Sequence, residues 1–182
     1  TILLRLHQVV CGHVTNEDGD VITLKSNRVD AMMDVISEVS GDVIIWAAYK
    51  HDIRSITAAL RAEYGDESVA EFHGGNTNTR QNDAARFTDE DSCRFMVSNQ
   101  QSGGYGNTWI NANTTIYFSN NYDLEKRLQS EDRNHRSGQE DKVLYVDLVS
   151  PNTVDERILK ALRKKINIAD TIMDEGVREW IV

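Results

Sequence analysis

Two arginines, Arg133 and Arg136, are the residues of this sequence with the clearest potential for chemistry. They lie in the stretch QSEDRNHRSGQ, which runs from Gln129 to Gln139. The apolar spacing before this stretch predicts a helix that ends at Gly138 and presents both guanidinium groups on one face. A buried face would not hold two guanidinium groups unless anions met them. Because a planar guanidinium matches phosphate oxygens and its charge stabilises a transferring phosphoryl group, the pair predicts a phosphate-binding site.

The pattern Gln129-x-x-x-Arg133-x-His135-Arg136-x-Gly138-Gln139 resembles the last conserved motif of superfamily 2 helicases, in the form carried by the Swi/Snf-like DNA translocases. The resemblance implies that ATP is hydrolysed in a cleft between two lobes. Arg133 and Arg136 would reach the γ-phosphate as catalytic and nucleotide-binding residues, with Gln129 beside them. His135 would have a structural or coupling role. The alternative is a solvated helix whose acidic residues pair with the arginines locally.

A glycine-rich loop, SNQQSGGYG, follows a predicted strand at residues 98–106. Glycines allow close backbone approach, so that amides can point at phosphate oxygens. The loop resembles the fifth motif of the same family, although Asn99-Gln100 stand where the family usually has Ser-Thr, and Thr108 where it has Asn. The resemblance implies nucleotide contacts by Gly104, Tyr105 and Gly106, and DNA contacts by Asn99, Gln100 and Gly103.

Two further loops follow predicted strands, at residues 46–50 and 72–77. The second leads into the N-terminus of a predicted helix, where backbone amides favour phosphate. Its alternative interpretation is a simple strand–turn–helix cap. Both loops resemble family segments that face one DNA strand, which implies DNA contacts by Tyr49, Lys50, Gly74, Thr77 and Arg80.

The elements that position these loops alternate between short apolar strands and amphipathic helices. The run from Val43 to Ala48 is apolar throughout, which is typical of a strand buried on both faces of a parallel sheet. Further strands are predicted at residues 69–72, 94–98, 114–119 and 142–149. The alternation predicts a doubly wound α/β domain with a mainly parallel sheet and helices on both faces, and the resemblance makes it RecA-like. Such sheets bind ligands at the carboxyl ends of their strands.

Three regions are predicted along the chain. Residues 1–25 form a linker helix and a short hairpin, with a tight turn at Asp18-Gly19. Residues 26–150 form the RecA-like lobe, and residues 151–182 form a C-terminal brace helix whose stripe includes Val154, Ile158 and Leu162.

The 182 residues carry a formal net charge of −9, which argues against binding nucleic acid by bulk charge but leaves a local groove open. Cys11 and Cys93 are far apart, so no disulfide framework is implied. The cluster of His7, Cys11 and His13 matches no common zinc spacing, and no metal ligands are predicted.

The sequence contains no Gly-x-x-x-x-Gly-Lys-Ser/Thr loop. In the family, the residues that hold the triphosphate of ATP and its Mg²⁺ belong to the N-terminal lobe of the same polypeptide. The expected partners are therefore that lobe and DNA, double-stranded rather than single-stranded, with no membrane. The isolated chain is expected to be a soluble, intracellular, inactive monomer, and its compact motif spacing favours a bacterial or phage-infected cytoplasm over a eukaryotic nucleus.

Two other functions fit the same residues. One is a non-catalytic module that binds nucleic acid or docks a protein. The departures from the family motif at Asn99, Gln100 and Thr108 favour this function, whereas the arginine pair argues against it. The other is an RNA helicase lobe of the same superfamily.

Overall fold

The computed structural model describes residues 2–102, 108–133 and 142–165. The strands are β1 (His13–Thr15), β2 (Val21–Thr23), β3 (Asp42–Trp46), β4 (Val69–Phe72), β5 (Phe95–Ser98), β6 (Ala112–Tyr117) and β7 (Leu144–Asp147). The helices are α1 (Ile2–Val10), α2 (Arg28–Glu38), α3 (Lys50–Tyr64), α4 (Arg80–Asp89), α5 (Leu124–Glu131) and α6 (residues 154–165).

Five of the strands form one parallel sheet in the order β4-β5-β3-β6-β7. Strand β3 lies at the centre, and its residues from Val43 to Trp46 have no exposed surface. Burial on both faces explains why this segment is apolar throughout rather than alternating. The ends of the sheet strands lie within two residues of those predicted from the sequence.

Helices cover both faces of this sheet. On one face, α2 and α3 pack Met32, Ile36, Ile53 and Leu60 against β3, β5 and β6. On the other face, Phe87 of α4 joins a second cluster built on the other side of the same strands, in which Trp109 contacts the rings of Trp46, Phe72 and Phe87. The doubly wound α/β fold predicted from the sequence is therefore confirmed.

The N-terminal elements and α6 pack together beside the sheet. Strands β1 and β2 form an antiparallel hairpin whose turn contains Gly19 at φ +91°. Val10 at the end of α1 and Leu124 of α5 pack against Val154, Ile158 and Leu162 of α6. Among the helices of the described residues, none has both the length and the apolar character that crossing a bilayer requires.

Candidate functional site

The predicted phosphate-binding stretch begins on α5 and continues past its end. Helix α5 ends at Glu131, not at Gly138 as the sequence predicted. The backbone turns there because the amide of Arg133 donates to the carbonyl of Ser130, and the Arg133 carbonyl accepts a 2.8 Å hydrogen bond from the amide of Trp109. Arg133 therefore lies beyond the helix, and the prediction that one helical face would carry both arginines is wrong.

The side chain of Arg133 lies against the end of α5 and is 6% exposed. Its Nε donates to the carbonyl of Gln129 at 3.1 Å. Gln129 is partly exposed on the same helix, and its amide donates to Glu125 at 2.9 Å. The structure thus brings Gln129 and Arg133 together, while Arg136 lies outside the described residues.

A buried ion pair fixes α5 on the sheet. The Arg127 guanidinium lies 3.4 Å from the ring centroid of Tyr117 in β6, and it donates to Asp147 at the end of β7 and to Glu131. Burial, the largest single effect, lowers the Arg127 pKa, but Asp147, Tyr117 and Glu131 together outweigh it, so the pKa of Arg127 is raised. Asn120 completes the cluster by donating to Asp147 at 2.6 Å. No role was predicted for Arg127 from the sequence, although an arginine between the apolar positions Leu124 and Leu128 of a helix indicates a buried partner.

The β4–α4 loop also lies at the carboxyl edge of the sheet. Gly74 and Thr77 are exposed, and the Arg80 guanidinium lies 5.3 Å from the centroid of the Phe72 ring. Asn76 shapes the loop, since its side chain accepts from the His73 amide at 2.9 Å and donates to the Glu71 carbonyl at 2.6 Å. The loop therefore presents backbone and hydroxyl groups at the start of α4.

Three predicted DNA-binding residues after β3 and β5 are not free at this edge. The Tyr49 hydroxyl is 2.8 Å from Nδ1 of His7, and its ring packs on His7 and His13 beneath α1. Gln100 is only 3% exposed. Asn99 is half-buried and accepts a 2.8 Å hydrogen bond from the Ser102 amide.

These contacts exist because the α1 segment and the loop after β5 fold back on the edge, which the sequence pattern did not reveal. Lys50, next to Tyr49, is exposed. The predicted residues Gly103, Gly104, Tyr105 and Gly106 lie outside the described residues.

A second buried arginine joins α2 to α6. Arg28 is 5% exposed and pairs with Asp155 of α6 at 2.7 Å. Its other nitrogens donate to the carbonyl of Phe118 at 2.6 Å and to that of Leu148 at 2.7 Å. Sequence reasoning missed this pair, because Arg28 and Asp155 lie at opposite ends of the chain.

The order of the parallel sheet and the helices on both of its faces define a RecA-like fold. The model of the helicase conserved C-terminal domain matches residues 27–138. The chain belongs to this family, as the C-terminal lobe of a Swi/Snf-like superfamily 2 helicase.

Individual relatives agree with this assignment. The chain is 35% identical to the ATP-dependent helicase brm of Drosophila melanogaster over 46% of its length. It is 26% identical over 84% of its length both to the TATA-binding protein-associated factor mot1 of Schizosaccharomyces pombe and to the chromodomain-helicase-DNA-binding protein 1-like of Danio rerio. It spans between 5% and 15% of the length of these relatives.

A solved structure supports the fold independently. The C-terminal part of the Fun30 ATPase domain superposes with a TM-score of 0.69 at 21% identity, covering 76% of this chain and 46% of that one. At this identity the likeness concerns the fold.

The predicted bacterial or phage location is contradicted by the relatives. They come from a fly, a fungus and a fish, and their names refer to chromodomains and to TATA-binding protein, which point to a eukaryotic nucleus. The prediction rested on the short distances between the motifs. Insertions in surface loops cost little free energy, so the length of these loops does not indicate the organism from which a protein comes.

Proposed function

We propose that this chain is the C-terminal motor lobe of an ATP-dependent DNA translocase, in which Arg133 and Arg136 act as arginine fingers on ATP bound by an N-terminal lobe. The observation that carries the proposal is the arginine pair, with Gln129 beside it, inside a helicase C-terminal domain. Residues 103–106 would complete the nucleotide contacts through Gly104, Tyr105 and Gly106. The N-terminal lobe would hold most of the ligands of Mg²⁺.

The two arginines would differ in role. Arg133 is nearly buried and bonded to the Gln129 carbonyl, which suits a residue that fixes the shape of the nucleotide cleft as well as its charge. Arg136 follows after the end of α5, where a guanidinium can extend toward another lobe. A charge supplied across an interface to the transferring phosphoryl group accelerates related hydrolases by about 10³–10⁵-fold.

The DNA-facing surface would consist of the exposed Lys50, Gly74 and Thr77 and the partly exposed Arg80, with Gly103 from the neighbouring loop. Lys50 and Arg80 are the cations of this set, in a chain of net charge −9. We therefore expect the isolated chain to bind double-stranded DNA weakly and without sequence preference, with Kd on the order of 10⁻⁴ M and strong salt dependence.

The remaining regions would connect this lobe to the rest of the motor. Residues 1–25 would be the linker from the N-terminal lobe, and residues 151–182 would brace one lobe against the other. The contacts that join α1, α5 and α6 support this division, since they pack the two flanking regions against each other.

The decisive experiment is Arg136→Lys in the full-length protein. Lysine keeps the charge but loses the planar fork, so DNA-stimulated ATPase should fall at least about a hundredfold while ATP affinity and the melting temperature change little. The matched control is Arg86→Lys. Arg86 pairs with Glu67 and Asp83 on α4, and its change should leave turnover within about twofold.

Two results with this variant, and two with the isolated chain, would overturn the proposal. Near wild-type turnover by Arg136→Lys would make the arginine a surface residue. Loss of folding would make it a structural one. DNA-stimulated ATPase from the isolated chain would contradict the two-lobe mechanism, whereas tight, sequence-selective DNA binding by it would favour a dedicated binding module.

A further inference from the structure

A cluster of polar side chains lies between the β1–β2 hairpin and the first turn of α3. It contains His13 of β1 with His51 and Asp52 of α3. His13 is 2% exposed and Asp52 is 1% exposed, so two of the three side chains are fully enclosed. None of these residues has a role in the proposed ATPase mechanism.

The cluster contains buried polar atoms that lack hydrogen-bond partners. They are Nδ1 of His13, Nδ1 of His51 and Oδ1 of Asp52. His13 Nδ1 and Asp52 Oδ1 are 3.3 Å apart, but not in hydrogen-bonding geometry. Buried polar groups in native proteins are nearly always satisfied, and a group that is not satisfied requires an explanation such as a bound ion.

The spacing of the cluster suits one small cation. One ligand atom from each of the three residues lies within 4.8 Å of the other two. Two donors of a tetrahedral zinc ion are separated by about 3.3 Å, so side-chain rotations that bring the ligand atoms up to about 1.5 Å closer would close the site. The imidazole rings of His13 and His51 are already stacked, with centroids 4.6 Å apart.

The outer atoms of two of these side chains are already oriented. Oδ2 of Asp52 accepts a 2.9 Å hydrogen bond from Oγ of Ser119, which follows β6. Nε2 of His51 is 3.1 Å from Oγ1 of Thr23 in β2. Metal-binding histidines and carboxylates characteristically use their second polar atom in this way, because the outer contact fixes the orientation of the ligand.

We propose that His13, His51 and Asp52 form a binding site for one divalent first-row transition-metal ion, with zinc the best match. Two imidazoles and one carboxylate are a usual protein ligand set for zinc, whereas magnesium and calcium prefer oxygen ligands. The ion would clamp the hairpin onto the start of α3. Its role would be structural, and it would be independent of the nucleotide-linked Mg²⁺.

The test uses the 182-residue chain after treatment with a chelator. Titration with Zn²⁺ in a calorimeter and with Co²⁺ by visible absorption should show one saturable site, and Zn²⁺ should raise the melting temperature. His51→Gln should weaken Zn²⁺ binding at least tenfold. This variant suits the test because His51 is only half-buried, and because the glutamine amide can still reach Thr23.

The matched control is His73→Gln. His73 also lies beside a carboxylate, with Nε2 3.1 Å from Glu71, but it belongs to no group of three ligands in the part of the chain that the structure describes. Its change should leave Zn²⁺ affinity unaltered. If His73→Gln weakens binding as much as His51→Gln, or if neither weakens it, the assignment of the site is wrong.

Two further measurements keep the proposal falsifiable if His51→Gln fails to fold. X-ray absorption at the zinc edge of the wild-type chain should show two imidazole ligands, and fewer than two would overturn the proposal. Wild-type chain that binds no Zn²⁺ at about 1 mM would do the same. The cluster would then be only a buried ion pair beside a stacked histidine.

Discussion

Replacing Arg28 by methionine tests how strongly α6 is held to the rest of the domain. The guanidinium is 5% exposed and donates to Asp155 and to two backbone carbonyls. Its removal leaves the Asp155 carboxylate, itself 6% exposed, without its charge partner. Breaking a buried pair from one side costs about 3–5 kcal/mol. Because the free energy of unfolding of a domain is about 5–15 kcal/mol, this cost is a large share of the total stability.

The measurement is urea unfolding of Arg28→Met beside the wild-type chain. With a denaturant dependence of about 3 kcal/mol/M, a loss of about 4 kcal/mol lowers the midpoint by about 1.3 M. The control is Arg61→Met, which removes a partly exposed pair with Glu71 and should cost less than about 1 kcal/mol. The double change Arg28→Met with Asp155→Leu should recover at least half of the loss, because it leaves no buried charge.

A midpoint for Arg28→Met no lower than that of Arg61→Met would refute this reasoning. It would mean that water or a rearranged side chain compensates the buried negative charge of Asp155, so that the ion pair with Arg28 does not hold α6 in place.

Three further predictions concern single positions. Asp123 caps α5 and its pKa is lowered by hydrogen bonds from the backbone amide and side chain of Lys126; Asp123→Ala should cost about 1 kcal/mol at pH 7, and this loss should shrink as the pH falls below the ordinary aspartate pKa of about 4 and vanish below the lowered pKa of the folded chain. Gly12→Ala should destabilise the chain more than Gly19→Ala, since both have positive φ but only a Cβ at Gly12 meets another side chain, at 2.7 Å; equal melting temperatures would contradict this. Cys11 and Cys93 should react with a thiol reagent far more slowly in the folded than in the unfolded chain, because burial raises the pKa of both thiols, that of Cys93 to about 11.

The sheet could be predicted from the sequence because its signals are local. Residues 43–48 form an apolar run bounded by Gly41-Asp42 on one side and Lys50 on the other, and such a run is typical of a strand buried on both faces of a parallel sheet. The predicted loops fall at the carboxyl edge for the same reason, since every parallel strand ends there.

The end of α5 could not be predicted because it depends on a contact between distant segments. The sequence pattern favours a helix as far as Gly138, whereas the hydrogen bond from Trp109 to the Arg133 carbonyl turns the chain after Glu131. The same limit applies to His13 and Asp52, which meet only once the hairpin has folded onto α3. A polar His51-Asp52 pair directly after a buried strand was the one local sign of that cluster.

The segment after α1 occupies the position between β3 and β6 where the helices that follow the strands change from one face of the sheet to the other. Strands β3 and β6 are neighbours, but α3 and α5 that follow them lie on opposite faces, which opens a crevice where doubly wound proteins usually bind ligands. Here Cys11 contacts Ser119 and His13 contacts Asp52, so the segment after α1 fills that crevice. Displacing α1 should therefore shift Asp52 and Ser119, the residues that this segment contacts after β3 and β6, and so change the shape of the ligand-facing edge.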